Sequence, residues 1–116
     1  MRLSAHDIKC IETAKEFILA DLTRHYSIPE IAEYAGININ KLKVGFKLLY
    51  SSGIYNYLQE RRLERGKYLL ENTDKSLKEI IPLIGYKHIS SFIKAFKKEY
   101  GLPPDVWRRK QYYAVE

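Results

Sequence analysis

The chain of 116 residues lacks what several common classes of protein require. Its single cysteine excludes an internal disulfide and a cysteine-based zinc site. It has no apolar run near the ~20 residues that span a bilayer, so we expect no membrane partner. The polar stretch from Met1 to Cys10 does not resemble a secretory signal peptide. With the lone thiol, this predicts a cytoplasmic protein.

Motifs that carry catalytic chemistry are also missing. The chain contains no Gly-rich phosphate loop, no nucleophile triad and no paired-carboxylate arrangement. The three histidines, His6, His25 and His88, do not have the spacing of metal ligands. We therefore predict that the chain is not an enzyme and that it holds no cofactor and no metal.

The chain has fewer acidic than basic residues, and the excess of positive charge is unevenly distributed along it. It contains 20 Lys+Arg and 14 Asp+Glu, which gives a net charge of +6 and a pI near 9.4. Residues 1–35 carry a net charge of −2, and residues 36–116 carry +8. This balance predicts an anionic partner such as nucleic acid, and it places the contacting surface in the last two thirds of the chain.

Strand signals are absent, whereas helical periodicity runs through the chain. Ser27 and Ser76 each stand three residues before a glutamate, which is the signature of a capping box. Glycines at 36, 85 and 101 are typical helix ends. The pattern predicts an all-α fold, with helices at about 4–24, 27–36, 39–50, 54–71, 76–85, 88–100 and 106–110.

A repeat organises these helices. The hydroxyl, glutamate, isoleucine and closing glycine of 27–36 recur in 76–85 at an offset of 49. Phe46-Lys47 and Tyr50 recur as Phe96-Lys97 and Tyr100 at an offset of 50. A helix of about eight residues, a glycine turn and a helix of about twelve form the helix-turn-helix outline. Its repetition predicts two helix-turn-helix subdomains.

Successive residues of an α-helix are rotated by ~100° about its axis, and on this basis the second helix of each subdomain has two distinct faces. In the first subdomain we expect an apolar stripe of Leu42, Phe46 and Leu49. The opposite side presents Asn40, Val44 and Lys47, with Lys43 on the flank.

The second subdomain shows the same division into faces. Here Phe92, Phe96 and Glu99 share one side of the helix. The outward residues are Ser90, Lys94 and Lys97, with Ile93 on the flank.

An outward face that mixes these residue types fits the major groove of DNA, which is ~12 Å wide and admits one helix. Asparagine can pair with adenine, lysine can donate to guanine, and valine or isoleucine methyls can pack on thymine. Solvated lysines alone would explain the charge but not Val44 and Ile93 near the outward faces. Double-stranded DNA is therefore the predicted partner.

Residues 27–107 resemble the DNA-binding domain of AraC/XylS-type bacterial transcription regulators. The matching strings of the first part include Ile31-Ala-Glu-Tyr-Ala-Gly36 and Arg62-Leu-Glu-Arg65. The more specific strings are Ser76-x-x-Glu79-Ile80, Gly85-Tyr86 and Ser91-Phe92-x-x-x-Phe96-Lys97-Lys98-Glu99-Tyr100-Gly101-x-Pro103-Pro104.

The resemblance implies about seven helices in three parts. These are a first helix-turn-helix subdomain at 1–53, a central linker helix at 54–71 and a second subdomain at 72–116. It implies that the two recognition helices enter successive major grooves. The family positions that contact bases correspond here to Asn40, Lys43, Val44, Ile89, Ser90, Ser91, Ile93 and Lys94.

The same resemblance implies contact with RNA polymerase, as in a transcription activator. It also implies that a small-molecule effector would act only through a domain absent from this chain. We therefore expect the chain to be the excised C-terminal DNA-binding domain of a larger effector-responsive regulator. Two alternatives stay open, a helical protein–protein interaction module and the DNA-targeting domain of a DNA-repair enzyme.

The chain departs from the family pattern at five positions. Ile81 stands where the family usually has alanine, and its extra bulk is expected to push the two helices apart. Val44 replaces the usual arginine of the first recognition helix, and Ser51 replaces a usual glycine. Gly45 adds a helix cost of ~1 kcal/mol. Pro82, inside a helix, removes a backbone donor and is expected to kink or weaken that helix by ~3 kcal/mol.

Overall fold

The structure is a computed structural model that describes residues 2–113, and the side chains of residues 2–111. Within those residues the chain forms seven α-helices and no strand, which confirms the all-α prediction. In chain order the helices are α1 (Ala5–Ala20), α2 (Ile28–Ala35), α3 (Ile39–Tyr50), α4 (Ile54–Asn72), α5 (Leu77–Ile84), α6 (Ile89–Tyr100) and α7 (Pro104–Tyr113).

The chain divides into two compact units, with the boundary between Arg61 and Arg62, inside α4. The first unit contains α1, α2, α3 and the start of α4. Its buried apolar core is Ile11, Ala14, Ile18, Ile31, Ala32, Ala35, Leu42, Phe46, Ile54 and Leu58.

The second unit contains the rest of α4 with α5, α6 and α7. Its buried core is Leu63, Leu69, Leu70, Ile80, Ile81, Ile84, Tyr86, Phe92 and Phe96. Each unit thus has a core of its own, and α4 supplies side chains to both.

The helix-turn-helix repeat is present in both units. Helices α2 and α5 each have 8 residues, and α3 and α6 each have 12. Gly36 and Gly85 close α2 and α5 in the left-handed region, at φ values of 72° and 87°. Glycine is the residue that adopts this conformation without strain, which explains why both turns contain it.

Side-chain caps fix the starts of α2 and α5, although the two caps differ. At α5 the box is complete, because Ser76 Oγ accepts from Glu79 N and Glu79 Oε1 accepts from Ser76 N at 3.1 Å. At α2 the structure shows the hydroxyl half, in which Ser27 Oγ accepts from Glu30 N at 3.3 Å. The serine signal was therefore sufficient to locate both helix starts.

Two predicted boundaries are wrong. Helix α1 ends at Ala20 rather than near 24, because Asp21 Oδ1 accepts from Thr23 N at 3.0 Å and from Thr23 Oγ1 at 2.6 Å. This local turn competes with the helix for the backbone.

Helix α7 extends from Pro104 to Tyr113, well beyond the predicted 106–110. Its side chains bind α4: Trp107 Nε1 donates to Glu71 Oε2 at 2.9 Å, and Arg108 Nε donates to the Leu70 carbonyl at 3.0 Å. Polar tertiary contacts of this kind produce no periodic pattern of apolar residues, so the full length of α7 could not be predicted from the sequence.

Pro82 does not end α5, which continues to Ile84. The proline is exposed, while its neighbour Ile81 and the later Ile84 are buried. Pro82 removes the donor that would otherwise reach the Lys78 carbonyl. Despite this lost hydrogen bond, the helix continues, because its buried isoleucines hold it against the core.

Gly66 allows α4 and α6 to approach closely within the second unit. A Cβ at this position would lie 2.6 Å from Phe92 Cε1 and 3.1 Å from Ile84 Cδ1. Phe92 is fully buried, so its ring can make room only by displacing its neighbours in the core.

We expect Gly66→Ala to lower the free energy of unfolding by about 1–3 kcal/mol, because the added methyl overpacks the core. Gly53→Ala is the matched control, since a Cβ at Gly53 has no neighbour within 4 Å. We expect it to change stability by less than about 0.5 kcal/mol. Urea unfolding of both variants measures the difference, and equal effects would contradict the packing argument.

Ser51 ends α3 in the left-handed region at φ 64°, and it is the one non-glycine residue with positive φ in the described chain. We expect Ser51→Gly to raise the free energy of unfolding by about 0.5–1 kcal/mol, because glycine adopts this conformation without a Cβ clash. Ser52→Gly serves as the control, since a glycine with ordinary φ only adds entropy to the unfolded chain. Urea unfolding should show a higher free energy of unfolding for Ser51→Gly and a lower one for Ser52→Gly.

Candidate nucleic-acid interface

Helix α3 is held by its cap and by two core residues. Asn38 Oδ1 accepts from Lys41 N at 2.8 Å and so fixes the start of the helix. Leu42 and Phe46 are fully buried. Their burial turns the other side of α3 outward, and all four predicted residues of that side are exposed: Asn40, Lys43, Val44 and Lys47.

Helix α6 is arranged in the same way, with Phe92 and Phe96 fully buried. Four of the five residues predicted here are exposed: Ile89, Ser90, Ser91 and Lys94. The fifth, Ile93, is half-buried. The side chain of His88, at the N-cap, makes no capping hydrogen bond.

The end of the apolar stripe was predicted wrongly in both helices. Leu49 is 39% exposed, and Glu99 is also exposed. The tyrosine that follows takes the inner position in each case. Tyr50 packs on Phe46 with a ring centroid distance of 4.7 Å, and Tyr100 packs on Phe96 at 4.6 Å.

The outward faces of α3 and α6 carry positive charge. Lys43, Lys47, Lys94 and Lys97 are all exposed. Alongside them lie the amide of Asn40 and the hydroxyl of Ser90, which donate and accept hydrogen bonds. Each unit thus presents one helix face that combines cationic, polar and β-branched apolar groups.

The start of α5 is a poor place for a phosphate, although helix starts often bind anions. The carboxylate of Glu79 already accepts from Ser76 N at 3.1 Å. This backbone hydrogen bond, with one from the Ser76 hydroxyl, holds the pKa of Glu79 below its usual value. The group therefore stays ionised at neutral pH and would repel a phosphate.

Sequence reasoning missed an apolar groove beside α3. The groove has a volume of about 800 Å³. Its lining includes two strongly exposed apolar side chains, Leu48 at 65% and Tyr55 at 68%, and Lys43 and Lys47 also line it. Leu48 lies off the buried stripe of α3, and that was the signal that could have indicated an exposed apolar surface.

In the part of the chain that the structure describes, no three His, Cys, Asp or Glu side chains lie together in a group that could hold a metal ion. In the same residues, no helix is long and apolar enough to cross a membrane.

Comparison with known proteins identifies a matching family. A family profile described as "Helix-turn-helix domain" matches residues 31–110, which is more than half of the chain. The xylose operon regulatory protein of Haemophilus influenzae is 28% identical over 95 residues, which cover 82% of this chain and 24% of that protein. The chain spans less than half the length of the curated relatives that it matches.

Solved structures share the fold. A transcriptional regulator of Chromobacterium violaceum with an AraC-type DNA-binding domain superposes with a TM-score of 0.81 at 24% identity, covering 93% of this chain and 96% of that one. The DNA-binding domain of AdpA, solved in complex with a target DNA, gives a TM-score of 0.85 at 19% identity, covering 92% and 96%. At these identities the likeness concerns the fold alone.

Proposed function

The chain belongs to the AraC/XylS-type family of helix-turn-helix proteins, and from this premise we propose that it is a sequence-specific DNA-binding domain of a transcription regulator. One observation carries the proposal. Each unit buries two apolar residues of its second helix, Leu42 and Phe46 or Phe92 and Phe96, and thereby exposes a face of cationic, polar and β-branched groups.

In the first unit, α3 acts as the recognition helix. Asn40 lies in its first turn, where a side chain reaches base edges, and asparagine forms two hydrogen bonds to adenine. Lys43 donates to guanine, and the Val44 methyls pack on a thymine methyl. Lys47 lies one turn later and contacts a phosphate.

In the second unit, α6 has the same role. Ile89, Ser90 and Ser91 form its first turn, and Lys94 follows on the same exposed side. Ile93, being half-buried, contributes a methyl at the edge of the contact. Lys97 binds the phosphate backbone rather than a base.

We infer that the two units read two half-sites in successive major grooves, which are ~34 Å apart. What supports this is the repeat itself, since each unit has a complete core and its own exposed helix. One chain then reads a site that many regulators read as dimers.

The family resemblance and the coverage of relatives support two further parts of the proposal. The chain spans 24% of the xylose operon regulatory protein, so a domain of this kind occurs within a much longer regulator. The family resemblance adds the proposal that the chain is the C-terminal part of a larger effector-responsive regulator. Contact with RNA polymerase completes the function of an activator. That relative is a regulatory protein, in line with the expectation that the chain is not an enzyme.

A protein–protein interaction module is the second candidate, and the apolar groove beside α3 favours it. The two functions respond differently to salt. DNA binding with several phosphate contacts weakens steeply between about 50 and 200 mM salt, because bound counterions are released. An apolar contact in the groove strengthens or stays constant over that range.

Selection from a random oligonucleotide pool tests the proposed function directly. We expect an enriched site with two half-sites about 10–10.5 base pairs apart, and a steep decrease in affinity with salt. A chain that binds no DNA at low salt would refute the proposal. Enrichment of a single half-site would refute only the reading by two units.

We expect Lys94→Ala to weaken binding to the selected site by about 1–3 kcal/mol and to relax preference at one base pair. Lys97→Ala is the matched control: it removes the same charge from the same helix, and it should weaken binding to all sequences about equally. Fluorescence anisotropy with selected and scrambled duplexes measures both. An unchanged specificity profile for Lys94→Ala would assign that lysine to a phosphate.

A further inference from the structure

Helix α1 packs against the recognition helix α3 within the first unit, although α1 lies outside the segment matched by the family profile. Their contacts include a steric one, a polar one and a cation–π one, in which Lys15 Nζ of α1 lies 5.0 Å from the ring centroid of Tyr50 of α3. Gly45 of α3 meets Ile11 of α1, and Lys41 of α3 binds Asp7 of α1. Lys41 and Gly45 are four residues apart and so lie on the same side of α3.

The contact at Gly45 is steric. A Cβ at this position would clash with Ile11 Cδ1 and lie 3.2 Å from Leu3 Cδ1. Ile11 is fully buried, so the two helices are pressed together at this point. Such a contact fixes the distance between the two helices at this point.

The contact at Lys41 is polar and lies one turn earlier. Lys41 Nζ is 3.1 Å from Asp7 Oδ2, and the exposed fractions of the two side chains are 37% and 11%. Asp7 is itself held in place, because it forms a complete capping box with Ser4 at the start of α1. An ammonium group attached to the first turn of α3 therefore has a fixed anchor.

Charge makes this arrangement costly for a DNA-binding surface. A lysine at a helix start opposes the helix dipole, and a carboxylate near DNA repels phosphates. Lys41 adjoins Asn40 and is two residues from Lys43, both assigned to base contacts. The lysine of the pair thus lies close to both of those residues in the sequence.

We propose that Asp7 is a positioning residue, which orients the first turn of α3 through Lys41 and thereby sets the base preference of the first unit. The proposal rests on the proposed function, because it assigns a role within DNA reading. It extends the functional part of the chain to α1, and it gives a carboxylate a favourable role in binding a polyanion.

Asp7→Asn tests the role, because a positioning role and simple electrostatics predict opposite changes in the affinity for the selected DNA site. Loss of a negative charge alone should leave binding to every DNA unchanged or tighter. Loss of positioning should weaken binding to the selected site by roughly fivefold or more, with no loss for a scrambled duplex. We therefore expect the ratio of the two affinities to fall. A partly unfolded protein would lose both affinities equally and keep the ratio.

Two further variants complete the experiment. Asp7→Glu retains an acid that can cap α1 and reach Lys41, and we expect it to restore most of the ratio. Glu16→Gln removes the same charge from an exposed position on α1 and should leave the ratio unchanged. Fluorescence anisotropy at two salt concentrations measures all variants on the selected and scrambled duplexes.

Amide hydrogen exchange gives a readout without DNA. We expect the amides of Leu42, Lys43 and Val44 to exchange several-fold faster in Asp7→Asn, while those of α5 in the other unit do not change. Unchanged exchange in α3, or an unchanged affinity ratio, would overturn the positioning role. A wild-type chain that prefers no DNA sequence would instead overturn the proposed function, and the role of Asp7 with it.

Discussion

The burial of a phenylalanine at the same place in each unit orients the outward faces of α3 and α6. Phe46 and Phe96 are fully buried, and each is in contact with the tyrosine four residues later. A helix that inserts such a ring into a core cannot rotate without exposing it, at a cost of about 2 kcal/mol or more. The rotation of α3 and α6, and so the identity of their exposed residues, depends on these two rings.

Much of this architecture could be predicted because it is local. Capping serines, closing glycines and periodic apolar residues each act within one turn, and they located five of the seven helices to within one residue at each end. The exposure of Asn40 and Lys94 also followed from periodicity, because each lies opposite a buried leucine or phenylalanine, and Lys43 was predicted on the flank. The roles of these residues in binding remain predictions.

What could not be predicted depends on partners distant in sequence. The ion pair between Asp7 and Lys41 joins residues 34 positions apart, and the hydrogen bonds of Trp107 and Arg108 reach back 36 and 38 positions. Such pairs leave no periodic pattern in a single sequence. Gly45 is the clearest case: as a helical residue it only adds cost, and its reason becomes visible once Ile11 lies against it.

The continuity of α4 across the unit boundary has a thermodynamic consequence. This helix supplies Leu58 to the first core and Leu63, Leu69 and Leu70 to the second. Fraying at its centre would remove support from both cores at once, because helix formation is cooperative along the backbone. The two units should therefore melt in a single cooperative transition, and damage to either one should lower the melting temperature of the whole chain.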